Sequence, residues 1–134
     1  MTAPQNIPEE KAREMFARAE AALANTYPDP NSGHAVTVLT DQGDLFEGVS
    51  YKSQTQTLTM HSEATALANA AIHGQKNILA ITGPNCHICK QLIWESALNS
   101  GIDTLVLTEE DGQILQTPIS ELMPMPWLNK EGSI

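Results

Sequence analysis

Apolar positions along the chain switch between two periods, and the switches mark its elements. Ala12, Met15, Phe16, Ala19, Ala22 and Leu23 recur at the spacing of one helical face, which predicts an amphipathic helix over 8–25 with Pro8 tolerated in its first turn. Breakers crowd Tyr27-Pro-Asp-Pro-Asn-Ser-Gly33, so a loop is expected there. Residues 34–40 and 45–51 read as strands joined by a hairpin at Asp41-Gln-Gly-Asp44. Dense alanine predicts a helix over 61–73, stopped at Gly74. Asn77-Ile-Leu-Ala-Ile-Thr82 is a short apolar run of the kind that forms a buried strand. A turn at Gly83-Pro84-Asn85 leads into a helix over 86–99 closed by Gly101. Another buried strand follows at 103–108, then a turn at Asp111-Gly112, a possible strand at 113–116 and a short helix near 118–123. The order αββαβαβ with a possible last strand predicts an α/β fold, helices packed on a mixed sheet.

At 134 residues and 41% hydrophobic content, one domain with one core is expected over 1–134, with 1–7 and 128–134 as loose ends. No apolar run approaches the ~18 residues of a membrane span. Met1-Thr-Ala-Pro-Gln-Asn carries neither the basic region nor the apolar stretch of a signal peptide, so a cytoplasmic setting is expected. Sixteen acidic against seven basic residues give a net charge of −9, and the basic ones are scattered from Lys11 to Lys130. A nucleic-acid backbone is usually gripped by a basic stripe, so a small diffusible substrate is favoured over DNA or RNA.

The candidate chemistry sits at the starts of the two later helices. His61-Ser62-Glu63 and Cys86-His87-Ile88-Cys89 supply three ligands suited to zinc and one carboxylate. Three ligands leave the fourth tetrahedral position for water, as catalytic zinc requires. Two thiolates and a neutral imidazole balance the charge of Zn²⁺, and a helix start favours the Cys86 thiolate. Glu63, two residues from His61, is placed to take a proton from a metal-bound water and return it to a ring nitrogen and a leaving amine. A Cys-x-x-Cys after a strand also fits a thioredoxin-like redox site, and His61-x-Glu63 tips the balance toward metal. A structural zinc site would need a fourth ligand. His87 is the nearest candidate, but next to Cys86 its geometry is awkward, and a surface or flanking role suits it better. His73, just before Gly74, reads as a helix C-terminal charge or a packed surface residue.

The pattern H-x-E…P-C-x-x-C is the zinc deaminase signature, and the chain departs from it once, with Pro84 one residue early. Across most of 30–127 the chain resembles the small cytidine deaminase and blasticidin S deaminase family. Cys89-Lys90-Gln91-Leu-Ile-Trp-Glu95 is similar to the family's C-R-Q and following helix, and Glu121-Leu122-Met123-Pro124-Met125-Pro126-Trp127 to its E-L-L-P-x-x-aromatic. The resemblance implies a three-layer α/β/α fold around a five-stranded mixed sheet, a Zn²⁺ cofactor, and a homo-oligomer, a tetramer or a dimer, whose sites borrow residues from neighbours. It implies hydrolytic deamination, with His61, Cys86 and Cys89 as ligands, Glu63 as proton shuttle, and cytidine or deoxycytidine as the default substrate. A different small amidine (blasticidin S-like, acidic or phosphorylated) and a non-catalytic zinc or ligand-binding protein of the same fold are the alternatives.

Where the family has C-A-E-R, this chain has His61-Ser62-Glu63-Ala64. Without a third thiolate, no arginine is needed to neutralise one. The substrate side departs further. His34 corresponds to the family's pyrimidine-facing Phe, and Ser50 and Lys52 to the Asn and Glu of its ribose clamp. Ser50 could still bond a hydroxyl. Lys52 cannot accept a hydrogen bond, and it favours an acidic or phosphorylated group or else faces solvent. Trp127 matches the aromatic that closes over substrate in relatives, or else anchors the tail to the domain. Trp94 is expected in the core or at a subunit interface.

Overall fold

The computed structural model describes residues 1–128. It has the expected three layers. Helix α1 (Glu9–Ala22) covers one face of the sheet, and α2 (Ser62–Ile72) and α3 (His87–Ser100) cover the other. The strands are β1 (Ala35–Thr40), β2 (Leu45–Val49), β3 (Ile78–Thr82), β4 (Leu105–Glu110) and β5 (Gln113–Pro118). They lie in the order β2-β1-β3-β4-β5, antiparallel except for the β3–β4 pair.

Each central strand supplies both faces. Val36, Val38 and Val106 join Ala66, Ala70, Ile93, Trp94 and Ala97 under α2 and α3. Leu39, Leu105 and Leu107 join Ala12 and Met15 under α1. Burial on both sides explains why β3 and β4 read as apolar runs without alternation. Trp94 belongs to the core, one of the two places expected for it.

Gly48 sets the height of α2 above the sheet. A Cβ there would lie 2.2 Å from both the Ala66 nitrogen and the Ser62 carbonyl oxygen, so only glycine lets the helix come down. Thr65 Oγ1 then donates to the Val49 carbonyl at 2.8 Å, and Asn69 Nδ2 to that of Glu47 at 3.0 Å. The start of α2 is thereby fixed to β2.

Within the N-terminal stretch expected to be loose, Thr2 and Ile7 have partners. Thr2 bridges to Ile102, its N–H donating to the Gly101 carbonyl at 2.9 Å. Ile7 is buried under α1, and the Gln116 amide bonds its N–H and carbonyl at 2.7 and 2.8 Å. One apolar residue and a distant amide hold this end, and neither forms a periodic pattern. At the other end, Trp94 Nε1 donates to the Leu128 carbonyl at 2.7 Å. The remainder of the expected loose stretch, 129–134, lies outside the described residues.

Candidate active site

Strand register brings the site together. Ala35 pairs with Val49, and β1 runs antiparallel to β3, so the start of β1, the end of β2 and the end of β3 share one edge. There α3 begins directly after β3, and α2 begins beside it.

His61 stands at the N-cap of α2 with its side chain making no cap bond, which leaves the ring free. Cys86 is the N-cap of α3, and its sulfur accepts from the Cys89 N–H at 3.5 Å. His61 Nδ1 lies 3.2 Å from Cys89 Sγ and 3.4 Å from Cys86 Sγ. Zinc with Zn–S ~2.3 Å and Zn–N ~2.0 Å in a tetrahedron puts N and S roughly 3.5 Å apart, so the donors already stand at the edges such an ion requires. Burial pushes the Cys89 thiol well above its ordinary range, and nearby Cys86 and Glu63 add to the shift. A thiolate there needs a cation beside it, which a divalent metal provides. His61, Cys86 and Cys89 thus fit zinc in number, type and spacing. His87 is exposed and outside the cluster.

Glu63, in the first turn of α2, is 6% exposed. Its carboxylate accepts from Ser62 Oγ at 3.1 Å and from Asn85 Nδ2 at 2.6 Å. Each oxygen keeps a free lone pair for a proton or a ligand.

These groups open onto a cavity of about 670 Å³ whose lining includes His34, Ser50, Lys52, His61, Glu63 and Cys86. That volume is within the ordinary range of small-molecule sites. Four separated segments of sequence meet there, and six of the eight site residues expected from the sequence share the wall. Cys89 sits behind it, reached through His61 and Cys86.

The substrate-side residues are bonded within the chain. Ser50 Oγ accepts from the His34 N–H at 2.7 Å and donates to its carbonyl at 3.1 Å. With its only proton used, the hydroxyl can offer a ligand one lone pair and no donor. Lys52 Nζ donates to the Ser32 carbonyl, and its side chain is exposed at the cavity mouth. Trp127 is not part of this wall. It is 65% exposed, and its backbone carbonyl accepts from Gln91 Nε2 at 2.9 Å on α3. His73, as expected, closes α2 at the surface, bonded to the Asn69 carbonyl at 2.8 Å and stacked on Phe46.

Asn85 was missed. The displaced proline was its only trace in the sequence, because it leaves an amide-bearing residue immediately before Cys86.

The family model for the cytidine and deoxycytidylate deaminase zinc-binding region matches residues 9–107. A blasticidin-S deaminase from Bacillus cereus is 25% identical over 130 residues, covering 85% of this chain and 90% of its own length. Cytidine deaminase from Burkholderia pseudomallei superposes with a TM-score of 0.71 at 21% identity, covering 86% of this chain and 98% of that one. The enzyme from Mycobacterium leprae gives 0.71 at 19% identity, covering 90% and 100%. At those identities the solved structures speak to the fold: three helices on a five-stranded mixed sheet. The family match spans both ligand-bearing helix starts, and with it the chain belongs to the zinc-dependent cytidine and deoxycytidylate deaminases, hydrolases acting on C–N bonds.

Proposed function

We propose that this enzyme releases ammonia from a free aminopyrimidine nucleoside, with cytidine or deoxycytidine as the default substrate. One observation carries the reading: a buried carboxylate, Glu63, lines a nucleoside-sized cavity together with His61 and Cys86, two donors of a three-donor metal group. A structural zinc site has no use for a carboxylate that is not a ligand.

The chemistry supplied by zinc when bound is Lewis acidity and a nucleophile formed from water near neutral pH. His61 Nδ1 and the thiolates of Cys86 and Cys89 would hold it. Glu63 takes the proton of the attacking water on a free lone pair and delivers it to the ring nitrogen beside the attacked carbon. It then carries the second proton, from the newly added hydroxyl, to the amine; the C–N bond breaks, and water and amidine become carbonyl and ammonia. Asn85 and Ser62 hold its two oxygens while the proton moves. Ser50 accepts a donor from the substrate, and His34 faces the same space.

A second reading concerns the substrate alone. Lys52 stands exposed in the cavity lining, in a chain of net charge −9. Its positive charge favours a substrate bearing an acidic or phosphorylated group at the mouth. The exposed apolar residues Tyr27, Tyr51, Leu58 and Met60 support a homo-oligomer, a tetramer or a dimer, to be read from the mass in solution. A cytoplasmic setting is part of the same proposal, since Cys86 and Cys89 must stay reduced to hold metal.

The test is ammonia release by zinc-loaded protein from cytidine, deoxycytidine and cytidine monophosphate, with Glu63→Gln as the blank. Turnover of the nucleosides that vanishes in the variant supports the default. Turnover of the monophosphate alone supports the second reading. Zinc-bound protein inert toward all three would overturn aminopyrimidine deamination as its activity.

A further inference from the structure

The single departure from the H-x-E…P-C-x-x-C pattern lies at the centre of the site. A proline before the first cysteine would bring neither an N–H nor a polar side chain. Here that position is Asn85, 7% exposed, with Pro84 moved one residue earlier. Its Nδ2 donates to Glu63 Oε2 at 2.6 Å and to the Thr82 carbonyl at 3.3 Å.

Those two acceptors settle which way the amide faces, because turning it over would set oxygen against carboxylate oxygen. The consequence is a defect. Asn85 Oδ1 has no partner, and with Thr37 Oγ1 it is one of two buried side-chain polar atoms in that state among the described residues. A buried acceptor left unmade costs free energy, so its retention calls for a compensating use of the group. Gly83 provides the seat: a Cβ there would lie 2.9 Å from Asn85 Oδ1 and 2.9 Å from Val106 Cγ1. Ser62, the other donor to Glu63, is its immediate neighbour on the same helix turn. Asn85 reaches it from the start of α3, so this one bond ties the proton-handling arm of the site to the metal-holding arm.

We infer that Asn85 is a positioning residue: through Nδ2 it fixes the Glu63 carboxylate so that its free lone pairs face the cavity. The bond is charge-assisted and short, the kind that holds an orientation rather than merely filling space. Its effect on turnover rests on the deaminase reading above. Its coupling to Glu63 does not.

The coupling is therefore measured first, without substrate, from the unfolding midpoints of zinc-loaded wild type, Asn85→Leu, Glu63→Met and the double variant. Leucine matches asparagine in size and removes both the donor and the orphan acceptor. In the wild-type background it strips a buried carboxylate of its donor and lowers the midpoint. With Met at 63 it removes the orphan acceptor and the long bond to the Thr82 carbonyl, and the midpoint changes less. The two shifts should differ by about 3 °C or more. Equal shifts overturn the inference and leave Asn85 as packing.

In the kinetic arm, Asn85→Leu should keep its zinc and its KM within about threefold, while kcat falls roughly 10–100-fold, as misplacement of a reacting group does. Should Asn85→Leu fail to fold, Gly83→Ala keeps the amide but pushes it off its seat, and the same kcat-only loss is expected. Unchanged kcat in the folded variant overturns the role. A wild-type enzyme inert toward cytidine and cytidine monophosphate would defeat the substrate reading alone, because the midpoints still decide Asn85.

Discussion

The two halves of the cavity are built differently. The half bearing His61, Glu63, Cys86 and Cys89 stands on the first turns of two helices, one clamped to β2 through Gly48 and the other following β3 directly. The half bearing His34, Ser50 and Lys52 stands on strand ends and loop, its parts joined by bonds among themselves. Helix starts fix side chains at set spacings, so reaction chemistry there is rigid and repeats as a motif. Strand ends constrain residue type far less, so recognition can change while the fold stays.

The comparison breaks first at the ligands. Cys86→Ala removes one of three donors, so zinc should be lost and turnover should fall to background. A bound metal at 100 times its Kd contributes about 2.7 kcal/mol of stability, and that contribution should go with it. Metal analysis beside the unfolding midpoint checks both. A variant with full zinc occupancy would remove Cys86 from the ligand set. Glu63→Gln is the cleaner cut within the same half: zinc and KM hold, while kcat drops by roughly 10²–10⁴. Substantial residual turnover would show that another group carries the proton.

How legible each half was follows from the same difference. His61-x-Glu63 and Cys86-x-x-Cys89 could be read because their spacings are local, and the strands could be read because β3 and β4 are buried on both faces. Residues 1–7 could not be read. Thr2 and Ile7 are held by Ile102 and Gln116, about a hundred positions away, and no periodicity signals such pairing. Ser50 was legible as polar but not as occupied, since its partner is the backbone of His34, just before β1. Asn85 looked like a flaw in a motif because its meaning lies in a contact with Glu63 on a different helix.

The seam between the halves can be moved without touching chemistry. Gly48→Ala drives a methyl into the backbone of α2 at Ser62 and Ala66, atoms that cannot swing aside. A forced contact of this kind costs about 1–3 kcal/mol, to be read from urea unfolding. Activity should fall further than the stability loss explains, because α2 carries His61 and Glu63 away from the two cysteines. Stability lost with full activity kept would mean that the two helix starts move together and that β2 does not set their spacing.

The smallest effect belongs to the recognition half, and there the sign carries the information. Lys52 is exposed at the mouth and bonded only to a backbone carbonyl, so its charge remains available to a ligand. An exposed ion pair is worth about 0.2–1 kcal/mol. Lys52→Met should therefore raise KM for a phosphorylated or acidic substrate by roughly 2–5-fold and leave KM for an uncharged nucleoside unchanged. Raising the salt from low to physiological concentration should shrink that difference in the wild type and leave the variant nearly flat, since the pair lies where ions can screen it. Equal KM changes for charged and neutral substrates would make Lys52 a strut for the Ser32 loop, with its charge playing no part in selection.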